Sequence, residues 1–258
     1  MIPIKTPQEI EKMRASCRLA SAILEHLSEA LCPGITTRDV DRCAVKLMEE
    51  AGCRSAFLGY RRFPGHICIS INDEVVHGIG GARRVQYGDI VKLDVGVILD
   101  GFVGDTAATI PIGVVSDDIQ KLLTVTEDAL GKGIEKVREG RRLNDVCAAI
   151  QDEVESNGFS VVKEFVGHGV GRHLHEEPQI PNYRTAGPTV RLKAGMTLAI
   201  EPMVNMGSAA VKVLGDDWTV VTADHAPSAH FEHTVLVTKG EPEILTWREK
   251  TSSKLKAG

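Results

Sequence analysis

The twenty residues VKLDVGVILDGFVGDTAATI, from Val91 to Ile110, constrain the fold more than any other stretch of the chain. Two strand-like apolar runs flank Asp100-Gly101, a pair that favours a two-residue hairpin because both turn positions tolerate positive φ. Closing the hairpin there pairs Leu99 with Phe102, and so Gly96 with Asp105 and Asp94 with Ala107. Directly paired residues share a sheet face, as do residues two apart on one strand. Asp94 and Asp105 therefore project from one face as diagonal neighbours, with Cβ atoms about 7 Å apart or less. Val95, Val97 and Leu99 take the opposite, apolar face. An open, solvated face would hold two carboxylates easily, but the flanking Leu93, Val95, Gly104 and Ala107 are apolar or small. On a largely buried face the two acids repel each other and lose solvation.

Two further acids interrupt apolar strands, Glu201 in LAIEPM and Glu232 in HFEHTV. A glutamate in such a setting is expensive unless it is paired, protonated or coordinated. Either alone reads most simply as an edge-strand charge; together with the aspartates they favour one shared site. Imidazoles lie in GHGVGRHLHEEP, from Gly167 to Pro178. Glycines on both sides of His168 suggest a tight backbone that aims its ring. His173 and His175 would share a face in an extended strand, and His173 reads as an ordinary surface or core residue. His77, in SINDEVVHGIG, draws little support from its neighbours. Four carboxylates with one neutral imidazole and no cysteine suit divalent Mn, Fe, Co or Zn. Four negative charges balance two divalent ions, whereas one ion leaves the site anionic.

The helical segments add an internal repeat. Thr6, Pro7 and Glu9 carry a capping-box signature for a helix with apolar spacing from Ile10 to Leu31, and Cys32-Pro33-Gly34 stops it. A second helix runs from about Thr37 to Ala51 and closes at Gly52. The pattern returns with a helix from Ser116 towards Arg138, then Gly140, then a helix from about Asn144 to Asn157-Gly158. Gly34, Asp39, Val40 and Gly52 match Gly140, Asp145, Val146 and Gly158 at one offset of 106. Strands are expected at Ile67–Ile71, Ile90–Ile98, Phe102–Ile110, Thr197–Val204 and Phe231–Val237. The expected fold is therefore mixed α/β (α+β), with a central, mostly antiparallel sheet covered by helices. Residues 1–258 read as one catalytic domain with pseudo-symmetric halves of roughly 1–110 and 111–250.

A net charge of -5 and a pI near 6.0, with no basic block, argue against a nucleic-acid binder that neutralises phosphates. The N-terminus carries charge every few residues, unlike a signal peptide or an acid-poor presequence. No apolar run approaches the roughly 18 residues of a membrane span. The six cysteines form no CxxC pair and read as reduced thiols. A cytoplasmic protein without membrane association is expected, and a monomer.

The strings CISIN with VVHGIG, DVGVILDGFVGDT, GHGVGRHLHEEP, IEPMVN and HFEHTVLVT, in that order and spacing, resemble type I methionine aminopeptidases over nearly the whole chain. The resemblance implies the pita-bread fold, in keeping with the repeat, and removal of the initiator methionine from nascent polypeptide N-termini, met at the ribosome, with a small second residue preferred. It implies two divalent ions (Co, Mn, Fe or Zn), with Asp94 on one, Asp105 and Glu232 bridging both, and His168 with Glu201 completing the other. A water or hydroxide between them would be the nucleophile, and Glu201 would shuttle its proton. His175 would stabilise the tetrahedral intermediate, and His77 would hydrogen-bond the scissile amide. Tyr60, Phe63, Cys68, His77, Leu174, His175 and Trp218 would hold the substrate, aromatic walls suiting a thioether. Phe57, Phe63 and Leu174 stand where the commonest bacterial pattern has cysteine, tyrosine and phenylalanine; all three remain apolar. The chain resembles the minimal type I form, without a zinc-finger extension, the helical insertion of type II enzymes or the N-terminal domain of prolidases. A binding protein on the same fold, a proline-directed aminopeptidase, a metal-free amidinohydrolase and a paralogue trimming one dedicated peptide are the competing readings. Retention of all five ligands opposes the first and third, and chain length and pocket strings oppose the second.

Overall fold

Thr6 opens the first helix, α1 (Pro7–Ala30), in a computed structural model that describes residues 2–247. Met1 and residues 248–258, inside the expected domain limits, lie outside the described residues. The Thr6 hydroxyl accepts the Glu9 N–H, and the Glu9 carboxylate accepts the Thr6 N–H at 2.9 Å, as the capping box requires. Helix α2 (Thr37–Glu50) starts at Thr36, whose hydroxyl accepts the Asp39 N–H. Helix α3 (Asp117–Ile134) stops short of the expected Arg138, because the chain tightens there. The Lys136 N–H reaches back to Gly133 O and the Val137 N–H to Ile134 O, three residues each, which ends the α-helical ladder. Helix α4 (Leu143–Ser156) has the same fourteen-residue length as α2.

The repeat holds down to single hydrogen bonds. Gly34 and Gly140 both have positive φ, +95° and +84°, and their N–H groups donate to Val85 O and Leu192 O. Thr37 and Leu143, the first residues of α2 and α4, donate to Arg83 O and Val190 O. Arg84 and Arg191 return side-chain bonds to Gly34 O and Gly140 O.

Among the described residues nine strands form the main sheet, and all of its pairings are antiparallel. The order is Arg54–Ser55, Ile90–Leu99, Phe102–Pro111, Glu232–Leu236, Thr197–Ile200, Gly167–Gly169 and Glu176–Ile180. Cys68–Ile71 also pairs with Ile90–Leu99, and Glu243–Ile244 with Glu232–Leu236. The central hairpin has the expected register, Leu99 with Phe102, Gly96 with Asp105 and Asp94 with Ala107. Asp100 and Gly101 turn it with φ of 49° and 79°.

One expectation needs correcting. Thr197–Val204 is not a single strand: it breaks at Glu201-Pro202, and Met203–Asn205 joins a separate three-stranded sheet with Ser228–His230 and Ser160–Val161. Pro202 has no N–H to continue the ladder. The chain breaks again at Phe231, between Ser228–His230 and Glu232–Leu236. The two bends lie side by side, each next to a glutamate.

Helix α1 packs on the central hairpin and α3 across both strand breaks, on Ser228–His230 and Met203–Asn205 as well as on Glu232–Leu236 and Thr197–Ile200, while α2 and α4 brace α1 and α3. Ala20, Leu24 and Leu27 of α1 meet Val91, Leu93, Val95 and Val97 of the hairpin in one core cluster. Where α1 crosses the hairpin, a Cβ on Gly104 would collide with the Ser16 carbonyl and the Cys17 nitrogen, both rigid backbone. Gly104→Ala should therefore destabilise the protein by about 1–3 kcal/mol, read as a lower urea midpoint at unchanged m. An unaltered midpoint would contradict this packing.

Candidate active site

Register carries Asp94, Asp105, His168 and Glu232 onto one sheet face, and a strand break sets Glu201 beside them. Cys68 pairs with Asp94, Asp94 with Ala107, and Ala107 with Glu232. Asp105 lies two residues from Ala107 and shares its face. His168 pairs with Ala199, two residues before Glu201. The bend at Pro202 falls one residue after Glu201, so that side chain closes the row rather than continuing the strand.

Asp105, His168 and Glu232 each offer a ligand atom within 4.8 Å of the others, and all three are buried. Glu201 Oε1 stands 3.5 Å and Asp105 Oδ2 3.8 Å from His168 Nε2. Asp94 lines the same cavity and is paired across the sheet with Cys68. The buried oxygens Asp94 Oδ1, Asp105 Oδ1 and Glu232 Oε1 find no donor among the described residues. His168 Nδ1 lies 2.9 Å from Gly169 O, which can only accept, so the ring proton sits on Nδ1. Nε2 therefore turns a lone pair towards two carboxylates. Lone pairs from every side facing one point are what a cation needs, and this donor set of oxygens with one imidazole fits a divalent metal.

The charges agree. Burial holds all four carboxyls well above the usual carboxylate range, and their neighbours push further: Glu201 on Asp94, Asp94 on Asp105, and Asp105 on both Glu201 and Glu232. Burial, then His175, takes His168 down to about 3 and His77 to about 4. Burial, then Arg61, takes His175 to about 4. The imidazoles are neutral at pH 7, so none of them supplies the missing positive charge.

Beside the cluster opens a cavity of about 330 Å³, lined by Tyr60, Phe63, Cys68, His77, Leu174, His175 and Trp218 as well as by Asp94, Asp105, His168, Glu201 and Glu232. Trp218 stacks edge-on with Phe63 at 5.1 Å and with His77 at 5.9 Å. His175 Nδ1 meets the Tyr60 hydroxyl at 2.8 Å, and its ring lies 4.2 Å from that of His168. His77 takes a φ of +60°, and the following Gly78 lies so close to Ile69 O that no Cβ fits, which fixes this turn. His173 is exposed and does not line the cavity. Phe57, noted as a departure from the bacterial pattern, lines it too, and so do Arg61, Val76, Glu164, Phe165, Val166 and Met203, for which the sequence reading found no role. Phe165 packs edge-on against His77 at 5.3 Å. Its place three residues before His168 was the available signal. His230, fully buried, also went unassigned; its Nε2 lies 3.5 Å from Glu201 Oε2.

Comparison with known proteins decides the family. The model of metallopeptidase family M24 matches residues 11–239. The chain belongs to metallopeptidase family M24. Within M24 it falls among the methionine aminopeptidases of the bacterial type I kind, and it is a hydrolase. Methionine aminopeptidase 1 of Bacillus subtilis (strain 168) is 49% identical over 246 residues, covering 95% of this chain and 99% of its own. The methionine aminopeptidase of Escherichia coli (strain K12) is 45% identical over 250 residues, 96% of this chain and 95% of its own. The crystal structure of the Thermotoga maritima methionine aminopeptidase superposes with a TM-score of 0.94 at 45% identity, over 96% of this chain and all of that one. The Pyrococcus furiosus prolidase, at 24% identity and a TM-score of 0.79 over 96% of this chain and 66% of its own, shares the pita-bread fold.

The buried repulsion makes a prediction about an M24 site. In chelator-treated protein at pH 8, Asp105→Asn should raise Tm, by about 2–4 °C for each kcal/mol of repulsion relieved. In the same variant the stabilisation that Mn²⁺ gives the native protein should vanish. A lower Tm for the metal-free variant would mean that the carboxylates do not oppose one another.

Proposed function

We propose that this M24 chain is a cytoplasmic aminopeptidase that removes the initiator methionine from nascent polypeptides, met at the ribosome, and prefers a small second residue. Residues 1–258 act as one catalytic domain of two pseudo-symmetric halves, working as a monomer. The reading rests on one observation above all: Asp105, Glu232 and the His168 lone pair come within 4.8 Å of one another, with Asp94 and Glu201 beside them in the lining of one cavity. Asp94 would hold one divalent ion, Asp105 and Glu232 both, and His168 with Glu201 the other. The two ions, of Co, Mn, Fe or Zn, would supply a water-derived nucleophile at neutral pH and balance the four carboxylates.

The remaining roles follow from the chain's own groups. Phe63, Trp218, Tyr60, Leu174 and Cys68 form a wall of apolar and polarizable surface suited to a methionine thioether. Tyr60 can donate its hydroxyl proton to His175 Nδ1, which leaves a proton on His175 Nε2 for the oxygen that becomes negative as the carbonyl is attacked. His77, neutral through burial, donates to or accepts from the scissile amide. Glu201 carries the proton from the nucleophile to the leaving amine.

Met-Ala-Ser should be hydrolysed, activity should vanish with chelator, and a divalent metal should restore it. Asp105→Asn should cost at least about a hundredfold in kcat/KM, and His77→Ala clearly less, because a shared ligand orients both ions. Undiminished turnover by metal-free protein would overturn the mechanism.

A further inference from the structure

His230 has no part in the function proposed above, yet it is the second imidazole against Glu201. The residue is 1% exposed. Its main chain is gripped by one hydroxyl: Thr109 Oγ1 donates to His230 O at 2.7 Å and accepts the His230 N–H at 2.9 Å. Thr109 belongs to the same hairpin strand as Asp105, so the backbone of His230 is tied to the element that carries the central ligand. On the facing side, Met203 pairs with His230, and Asn182 Nδ2 donates to Glu201 O at 3.0 Å. The backbones of Glu201 and His230 are thus fixed across the paired strand breaks at Pro202 and Phe231.

Between them lie two atoms that lack a partner of the right kind. His230 Nε2 is buried with no hydrogen-bond partner among the described residues, and Glu201 Oε2 stands 3.5 Å away. A lone pair on Nε2 would oppose the carboxylate, whereas a proton there closes a hydrogen bond after a small rotation of the glutamate side chain. The other oxygen, Oε1, faces the lone pair of His168 at 3.5 Å. One carboxylate is therefore flanked by two imidazoles of opposite character.

We propose that His230 is a positioning residue: its Nε2–H holds Glu201 Oε2 and so turns Oε1 towards His168 and the metal position they share. The inference rests on the metallopeptidase reading and deepens it. Through Glu201, His230 sets how tightly that position binds and how the proton-carrying carboxylate is aimed.

Calorimetric titration of chelator-stripped protein with Mn²⁺, alongside Met-Ala-Ser kinetics, tests this. His230→Leu should weaken Mn²⁺ binding by about 10–100-fold and lower kcat with little change in KM. His230→Gln, whose amide can donate from a similar place, should recover most of both. In a Glu201→Ala background the added effect of His230→Leu on Mn²⁺ binding should fall below about twofold, because the intermediary is gone. Imidazole-¹⁵N NMR of the native protein should find the His230 proton on Nε2, which needs no folded Leu variant. Native-like Mn²⁺ affinity in His230→Leu, an equal loss in both backgrounds, or a proton on Nδ1 would overturn the proposal. Native protein that binds no Mn²⁺ would overturn the metallopeptidase reading itself.

Discussion

Mutual repulsion among four buried carboxylates is the constraint to which this structure answers. Left to themselves, such groups would turn outwards to water or take up protons. Turning outwards is closed to them, because Asp94, Asp105 and Glu232 lie in paired strands and Glu201 at the break beside them; taking up protons remains, and all four carboxyls are held well above the usual carboxylate range. The stitching is specific. The Thr106 hydroxyl donates to Glu232 O at 3.0 Å and the Thr234 hydroxyl to Asp105 O at 2.8 Å, so the two strands that carry Asp105 and Glu232 are clamped at those residues. The apolar clusters on the helical side anchor the same strands from behind. Burial energy spread over many aliphatic side chains outweighs a local electrostatic penalty, and that penalty becomes affinity once positive charge arrives.

The two halves share this burden unequally. The first supplies Asp94 and Asp105 from one hairpin; the second supplies His168, Glu201 and Glu232 from three strands. Each half has its own helix pair and its own glycine-initiated hydrogen bonds, but neither holds all five of the proposed ligands. Pairing of Glu232 with Ala107 is the seam between them. A shift of one residue at that seam would turn Glu232 to the opposite face. The threonine clamps sit where such a slip would begin.

How much of this the sequence disclosed depended on how local the cause was. The hairpin was legible because Asp100-Gly101 sets the register at the turn and a period of two does the rest. The capping box and the repeat were legible for the same reason, since turns and caps are decided within a few residues. The pairing of Glu232 with Ala107 was not, because strands so far apart in the chain leave no local signal. The break at Glu201-Pro202 was hidden by apolar alternation on both sides, although the missing N–H of Pro202 should have outweighed it. His230 was hidden by its neighbours: between Ala229 and Phe231 an imidazole reads as one more core residue. The roles of His77, Trp218 and Leu174 came from the family resemblance, because nothing in their spacing indicates a common cavity.

The imidazoles show how the site divides its work. Near four carboxylates a histidine would ordinarily gain a proton, yet burial dominates and keeps His77, His168, His175 and His230 neutral, at about 4, 3, 4 and 3. A neutral ring has one donor and one acceptor nitrogen, so what each can do is decided by what its other nitrogen touches. Gly169 O takes the proton side of His168 and leaves it an acceptor facing the carboxylates. Tyr60 can fill the acceptor side of His175 and leave it a donor at the cavity mouth. Had these rings been charged, they would have balanced the carboxylates themselves, and the cluster would need no metal. By keeping them neutral, the fold separates the place where positive charge would be imported from the place where a single proton is offered, and under the proposed function that difference would orient a bound peptide.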